Sequence, residues 1–187
     1  MSFNSWKQTL INQQIDGTAL ASSTAQTSIL PGAAKFNLPA NLLAIGTKLQ
    51  LKAGGRMSTV VTTPGTSRFE LKFGSVVVFD SGAFNLNTTA QTNAAWLLEL
   101  ELTCRSIGAS TSATLFGIGK FMSRALVGSA AVASGSAGLI VLPDTSPGVG
   151  TGFDSTVSNV IDLFGTFSVS NASNSIRCDT AELVLCN

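Results

Sequence analysis

Apolar and polar residues alternate one by one along three segments of this sequence. Successive side chains of a β-strand point to opposite faces, so this alternation is typical of a strand that buries one face and exposes the other. The segments are 47–53, 68–73 and 96–105. The side chains predicted to face a core are those of Leu49, Leu51, Phe69, Leu71, Phe73, Trp96, Leu98, Leu100, Leu102 and Cys104.

Weaker strand patterns fill most of the remaining chain, and turn residues separate them. Many short strands without intervening helices indicate a sandwich or a barrel. We predict an all-β, jelly-roll-like antiparallel β-sandwich of about eight to ten strands, with an immunoglobulin-like sandwich as the alternative. The further strands are predicted at 18–22, 26–30, 56–63, 75–79, 113–122, 157–170 and 175–186. The turns are predicted at Gly54-Gly55, Thr63-Pro64-Gly65, Ser81-Gly82, Pro147-Gly148 and Asn171-Ala172-Ser173-Asn174.

The N-terminal segment has a different spacing. Trp6, Leu10 and Ile11 lie about one helical turn apart, and Asp16-Gly17 would suit the end of a helix. We therefore predict a short helix over residues 5–15, or an extended arm, within an N-terminal region of residues 1–16. The chain of 187 residues is long enough for one substantial core, so residues 17–187 are predicted to form a single β-sandwich domain.

Residues 125–142 form a long uncharged stretch, which raises the question of a membrane-spanning helix. Glycine and serine interrupt it, and a membrane helix needs about 20 mostly apolar residues. We predict a surface loop instead, as part of a long excursion from the sandwich over residues 128–152, and no membrane partner.

The composition argues against several classes of function. The chain has no histidine, which removes the usual general base and the commonest metal ligand. Charged residues make up 11%, against about 25% in typical domains, and the net charge is +1, so no nucleic-acid partner is expected. We predict no enzymatic activity, no cofactor, and no catalytic, cofactor-binding or metal-binding residues. A surface of Ser, Thr, Asn and Gln favours contact with other protein.

Acidic residues give two candidate sites, each with a simpler structural interpretation. Glu99 and Glu101 share a strand face as a paired-carboxylate site would require, but the same pattern is typical of a solvated face. Asp144, Asp154 and Asp162 could offer oxygen ligands to Ca²⁺, yet they lack the spacing of a calcium loop. We interpret them as turn aspartates.

Other short motifs are also interpreted as structural. Gly117-Ile118-Gly119-Lys120 lacks the first glycine and the following Ser or Thr of a phosphate loop, and is predicted to be strand. Ser134 and Ser136 have no histidine to activate them. Asn87-Thr88-Thr89 and Asn171-Ala172-Ser173 match the glycosylation pattern but are interpreted as turns.

The basic residues and the cysteines are the remaining candidates. The densest basic group is expected to lie on shared outward faces of adjacent strands, either contacting an acidic partner or protecting strand edges. Its members are Lys48, Lys52, Arg56, Arg68 and Lys72. Three cysteines without a regular spacing are predicted to be buried free thiols, with one disulfide among them as the alternative. They are Cys104, Cys178 and Cys186.

Five stretches of strand and turn residues carry a resemblance to a known family. They are Ser58-Thr59-Val60-Val61-Thr62-Thr63-Pro64-Gly65-Thr66, Leu86-Asn87-Thr88-Thr89-Ala90, Leu102-Thr103-Cys104-Arg105, Gly150-Thr151-Gly152-Phe153-Asp154-Ser155 and Ser168-Val169-Ser170-Asn171-Ala172-Ser173-Asn174-Ser175. Together they resemble small virion structural proteins of tailed bacteriophages, from about Thr18 to the C-terminus. The resemblance implies a jelly-roll protein that decorates or cements the capsid shell as a homotrimer, and it supplies no catalytic residues.

We therefore expect a capsid decoration or cement protein that binds and stabilises the head shell. Its partners would be its own copies and the major capsid protein, on the head surface of a virion assembled in the host cytoplasm. An N-terminal arm, residues 1 to about 40, would reach across a subunit boundary. The alternatives are another virion component (tail, neck, fibre or small jelly-roll capsid protein) and a carbohydrate-binding β-sandwich module.

Overall fold

The computed structural model describes residues 6–129 and 138–187, whose regular structure is nearly all β. Fourteen strands lie in these ranges, together with one 3₁₀ turn at Gly32–Ala34. The strands are β1 (Lys7–Asn12), β2 (Leu20–Ala21), β3 (Thr27–Ser28), β4 (Phe36–Leu38), β5 (Lys48–Thr59), β6 (Thr66–Phe73), β7 (Val76–Asp80), β8 (Phe84–Leu86), β9 (Gln91–Ser106), β10 (Thr114–Ser123), β11 (Leu126–Ser129), β12 (Leu139–Leu142), β13 (Asn159–Phe167) and β14 (Ser175–Cys186).

The strands form two antiparallel seven-stranded sheets that pack face to face. Sheet A has the order β1-β14-β5-β9-β10-β12, with β2 beside β14. Sheet B has the order β11-β8-β6-β13-β3, with β4 beside β13 and β7 beside β6. This arrangement confirms the predicted all-β antiparallel sandwich.

Strand pairing is nested along the chain, which makes the sandwich jelly-roll-like. β5 pairs with β14, β6 with β13, β8 with β11, and β9 with β10. The chain therefore resembles one long hairpin folded over a core. The links β5–β6 and β13–β14 both cross between the sheets, so residues before and after Pro64 lie on opposite sides of the molecule.

An aromatic cluster joins the two sheets at the centre of the core. Phe69 and Phe84 come from sheet B, while Trp96 and Phe121 come from sheet A, and all four are at most 1% exposed. The ring centroids of Phe84 and Phe121 lie 4.8 Å apart, and those of Phe69 and Trp96 lie 5.5 Å apart. The ten side chains that the three alternating segments predict to face the core are all buried, as their period predicts.

The N-terminal segment is a strand, so the predicted helix over residues 5–15 is wrong. β1 pairs along its length with β14 and covers what would otherwise be an open sheet edge. Beyond β1, the side-chain amide of Gln13 donates to the carbonyl oxygen of Cys178 at 3.0 Å, and the backbone N–H of Gly17 donates to the same oxygen at 2.7 Å. Residues 7–17 of the expected arm are thus held by the molecule's own sheet.

The predicted turn at Gly54-Gly55 is also wrong, because β5 runs straight through both glycines. Opposite them, β14 has a bulge at Asp179. A Cβ atom on Gly55 would lie 2.0 Å from the carbonyl oxygen of Arg177, so the close approach of the two backbones requires glycine at this position.

Two short strands lie where the sequence predicts a surface loop over residues 125–142. β11 pairs with β8 in sheet B, and β12 pairs with β10 in sheet A. The predicted excursion over 128–152 is therefore wrong for these two strands, while Ser134 and Ser136 lie outside the described residues. Among the described residues, no helix has the length and apolar character to span a bilayer.

Candidate interaction surfaces

The outer face of sheet A is a broad surface on which side chains fall into rows. Strand register sets these rows, because residues paired across neighbouring antiparallel strands point the same way. The charged row consists of Glu182 on β14, Lys52 on β5, Glu99 on β9 and Lys120 on β10. The mixed row beside it consists of Val184, Gln50, Glu101 and Ile118 on the same four strands.

Each of the two glutamates on β9 contacts a lysine on this face. Glu99 pairs with Lys120 at 3.0 Å, and Glu101 pairs with Lys48 at 2.5 Å. The hydrogen bond from Lys48 holds the pKa of Glu101 below its usual range, aided by a hydrogen bond from Gln50. Neither carboxylate is buried, which confirms the interpretation of Glu99 and Glu101 as part of an outward strand face.

Apolar side chains are interspersed with these charges. Leu97, Ile118, Leu139 and Val141 are all large hydrophobic residues exposed on β9, β10 and β12. A shallow groove of about 600 Å³ runs across this face, lined by Lys52, Glu99 and Lys120 together with Ile118 and Val141. A face that mixes apolar and paired polar groups in this way is typical of protein–protein contact.

Two arginines lie opposite each other where β5 meets the bulge of β14. Arg56 and Arg177 are register partners, so their charges would repel each other on adjacent strands. The bulge places Asp179 between them, at 2.8 Å from Arg56 Nε and 2.6 Å from Arg177 Nε. Asp16 adds a contact of 2.9 Å to Arg177. The hydrogen bond with Asp179 raises the pKa of Arg56.

The predicted basic group does not form one surface. Lys48, Lys52 and Arg56 belong to β5 in sheet A, whereas Arg68 and Lys72 belong to β6 in sheet B, on the opposite side of the sandwich. On that side Arg68 contacts Asp80 and, at 3.0 Å, Glu70, while Lys72 lies 4.4 Å above the ring of Phe164. The sequence pattern groups them because it does not show that the chain crosses between the sheets.

One end of the sandwich exposes an apolar surface formed by three loops. We call it the apolar loop end and define it by Leu42 and Ile45 before β5, Ile107 after β9, and Val157 before β13. Ile45 is 68% exposed and Val157 is 50% exposed. The sequence gives no signal for this surface, because single aliphatic residues in loops are common.

Polar contacts hold these loops together. The carbonyl oxygen of Ser155 accepts from the N–H of Asn41 at 2.8 Å, and its hydroxyl accepts from the N–H of Gly108 at 2.9 Å. Asp154 accepts from the hydroxyl of Thr156 at 2.6 Å and from the N–H of Ser110 at 2.9 Å. These hydrogen bonds, the one from the Thr156 hydroxyl foremost, lower the pKa of Asp154. The exposed apolar residues therefore lie on loops that hydrogen bonds join to each other.

The three candidate calcium ligands do not come together. Asp154 lies at the apolar loop end, where it accepts from the backbone N–H of Ser110. Asp144 lies elsewhere, and its backbone N–H donates to the carbonyl oxygen of Ser81 after β7. Asp162 lies on sheet B, where it accepts from Ser28 at 2.8 Å and pairs with Lys35 at 2.8 Å. Within residues 6–129 and 138–187, no three His, Cys, Asp or Glu side chains cluster as metal ligands.

The remaining motifs have structural roles. Gly117–Lys120 lies within β10, as predicted, and a Cβ on Gly117 would meet the ring of Phe79 at 2.4 Å. Asn87 and Asn171 each accept from the backbone N–H two residues ahead, at 2.9 Å, so both glycosylation patterns are turns.

All three cysteines are free thiols, as predicted. Cys104 and Cys178 are buried, whereas Cys186 is half-buried at the end of β14. Loss of solvation raises the pKa of the Cys104 thiol, and the same cause raises the pKa of the Cys178 thiol to about 11.

Two solved structures show weak similarity to this chain. No protein-family model matches the sequence, and no curated protein matches it. The CBM2 module of the evolved Dit of Lactobacillus casei BL23 phage J-1 is similar at a TM-score of 0.30 and 13% identity, over 82% of this chain and 68% of that one. A mutant of the alginate lyase Aly36B, in complex with an alginate trisaccharide, is similar at a TM-score of 0.25 and 8% identity, over 97% of both chains. Similarities this low do not bear on function.

Proposed function

We propose that this chain is a bacteriophage virion structural protein, and specifically a capsid decoration protein that binds and stabilises the head shell. The observation that carries the proposal is the apolar loop end, because an exposed apolar surface on hydrogen-bonded loops of a weakly charged protein is suited to docking on another protein. The resemblance to small virion proteins of tailed phages suggests which protein that is, the major capsid protein.

In this role the protein acts by contact and not by catalysis. Leu42, Ile45, Ile107 and Val157 would lose water on docking, and burial of each such side chain is worth up to about 1.5–3 kcal/mol. Hydrogen bonds within the loops keep the ordering cost of docking low. The protein would work on the head surface, after assembly in the host cytoplasm, and the homotrimer implied by the resemblance belongs to the same proposal.

The test measures binding to empty head shells assembled from the major capsid protein of the genome that encodes this chain. Wild-type protein should co-sediment saturably with the shells and raise their resistance to heat. The double variant Ile45→Asp/Ile107→Asp should bind at least about tenfold more weakly, because it places charge in the apolar contact. Val61→Asp is the matched control, since Val61 is 57% exposed in the β5–β6 loop and lies outside the apolar loop end.

The same experiment separates this proposal from its alternatives. Absence of shell binding, with the protein found by antibody labelling on the tail, would overturn the decoration role and favour another virion component. Binding that the Ile45→Asp/Ile107→Asp variant leaves unchanged would overturn the loop-end contact. No observation favours the carbohydrate-binding module, since Trp6 is the only aromatic among the large exposed hydrophobic side chains of the described residues.

The expected N-terminal arm can be tested on the same shells. Because β1 pairs with β14, a reach across a subunit boundary would require β1 to leave its own sheet. Deletion of residues 1–16 should weaken shell binding if the arm makes that reach, and unchanged binding would overturn it.

A further inference from the structure

We propose that the outer face of sheet A is a self-complementary contact between two copies of this chain, related by a two-fold axis. The axis would run along the strands, midway between β5 and β9. This proposal concerns a different surface from the apolar loop end, and it does not depend on the function of the protein.

The charged row gives the main argument. Its signs alternate across the sheet as minus, plus, minus, plus, from Glu182 through Lys52 and Glu99 to Lys120. A two-fold axis between β5 and β9 exchanges β5 with β9 and β14 with β10. Lys52 then faces Glu99 of the second copy, and Glu182 faces Lys120 of the second copy. Every charge in the row meets its opposite.

The mixed row is complementary under the same operation. Gln50 faces Glu101 of the second copy, which pairs an amide donor with a carboxylate acceptor. Val184 faces Ile118 of the second copy, which pairs two aliphatic side chains. An isologous contact requires this kind of agreement, because each residue must suit the one that the symmetry places against it.

Charges left without an ionic partner also favour a second copy. Among the ion pairs of the described residues, Glu99 and Glu101 already have lysine partners, but neither Lys52 nor Glu182 belongs to any pair. Both of these side chains are exposed. In the two-fold contact Lys52 pairs with Glu99 of the second copy, and Glu182 pairs with Lys120 of the second copy. Both side chains that lack an ionic partner within one chain therefore gain one.

The face is large enough for such a contact. Six strands spaced about 4.8 Å apart, of which β1 and β12 are short, and a length of about 27 Å along β9 from Leu97 to Arg105 give roughly 700 Å². Stable interfaces bury about 800 Å² on each partner. Leu97, Leu139 and Val141 make the flank of this area apolar. Twisted sheets pack at about 30° to each other, so facing residues of the two copies stay aligned only close to the axis. Lys52 and Glu99 lie closest to it and are therefore the residues to test.

The test exchanges charges across the axis. Purified wild-type protein should have a native mass of twice 19.2 kDa by light scattering on a sizing column. Lys52→Glu places two glutamates against each other, and Glu99→Lys places two lysines against each other. Each variant alone should raise the dimer dissociation constant by at least about a hundredfold. An equimolar mixture of the two should restore the dimer, because every facing pair is then opposite in sign.

The mixture distinguishes contact between chains from contact within one chain. Lys52 and Glu99 are also neighbours in the same sheet, so a merely structural effect would weaken each variant but would not be relieved by mixing. Lys72→Glu, on the outer face of sheet B, makes the same charge change and should leave the dimer intact. Far-ultraviolet circular dichroism checks that every variant is folded.

Three results would overturn the two-fold contact: a wild-type monomer at all concentrations, an oligomer that the reversals leave unchanged, or no recovery on mixing. A trimer of three times 19.2 kDa that is insensitive to these variants would favour the assembly implied by the family resemblance alone. A hexamer that Lys52→Glu or Glu99→Lys splits into trimers would mean that the protein forms both the two-fold contact and a trimer. Since no shell is present in this experiment, its outcome is separate from that of the decoration role.

Discussion

Asn174 is the residue on which one end of the sandwich depends. Its side chain is fully buried, where Oδ1 accepts from the N–H of Val60 at 2.8 Å and Nδ2 donates to the carbonyl oxygens of Pro64 and Val169 at 3.1 and 3.2 Å. Asn174→Ala would leave three backbone groups without partners. We expect it to lower the free energy of unfolding by at least about 2 kcal/mol, as measured by urea denaturation.

The control is Asn37→Ala, because Asn37 is exposed on β4. It should change the free energy of unfolding by no more than about 0.5 kcal/mol. Equal effects of the two variants would show that the buried bonds of Asn174 add nothing to stability.

The buried thiol of Cys178 makes stability depend on pH in the alkaline range. Burial raises its pKa to about 11, from an ordinary value of 9.0. The folded state therefore keeps a proton that the unfolded state releases. The stabilisation is complete below pH 9 and is lost as pH rises from about 9 to about 11, by roughly 2–3 kcal/mol in all. Since the chain has no tyrosine, no phenol titrates in the same window.

Cys178→Ala should flatten this decline, whatever it does to stability at neutral pH. Urea denaturation at pH 8, 9 and 10 measures the slope, with Cys186→Ala at the half-buried cysteine as the comparison. An unchanged slope in Cys178→Ala would mean that other groups cause the alkaline loss. The burial of these two cysteines cannot be predicted from alternation, because residues eight apart would share a face of a regular strand and the bulge at Asp179 places them on opposite faces.

At the scale of single elements, the bulge of β14 leaves no room for a side chain on the facing residue of β5. Gly55→Ala would place a methyl group 2.0 Å from the carbonyl oxygen of Arg177, where backbone must move. We expect a loss of about 3 kcal/mol or more in the free energy of unfolding. Gly148→Ala is the matched control, because no atom lies within 4 Å of the position that its Cβ would take, so the change should be nearly neutral. Similar values for the two variants would contradict the close approach at the bulge.

Alternation predicts the strands that bury one face, and it fails where both faces have the same character. β5, β6 and β9 follow directly from their leucines and phenylalanines. β12 is Leu139–Leu142, with Ile140 and Leu142 buried but Leu139 and Val141 exposed, so it carries no polar signal. β1 resembles a helix in sequence because Trp6 and Leu10 are four residues apart. Its pairing with β14, at the far end of the chain, decides its conformation.

At the scale of the whole molecule, the pairing of distant strands fixes the surfaces, and local sequence does not contain it. Lys52 and Lys72 have the same alternating surroundings in the sequence, yet they lie on opposite sheets. The charged row joins residues from 52 to 182, and the apolar loop end joins Ile45, Ile107 and Val157. Both candidate surfaces therefore become visible only once the register and the crossings are known.

The shared aromatic cluster predicts that the two sheets unfold together. Trp96 and Phe121 of sheet A contact Phe69 and Phe84 of sheet B, with centroid distances between the sheets from 4.8 to 5.5 Å. Neither sheet can lose this cluster without exposing the buried face of the other.

In the variant Trp6→Phe, Trp96 is the single tryptophan and reports on the cluster alone. Its fluorescence and the far-ultraviolet circular dichroism should change at the same urea concentration, and Phe121→Ala should shift both by the same amount, equivalent to about 3–5 kcal/mol. Two separate transitions would mean that one sheet retains its structure after the cluster is lost, and that the sandwich has two cooperative units.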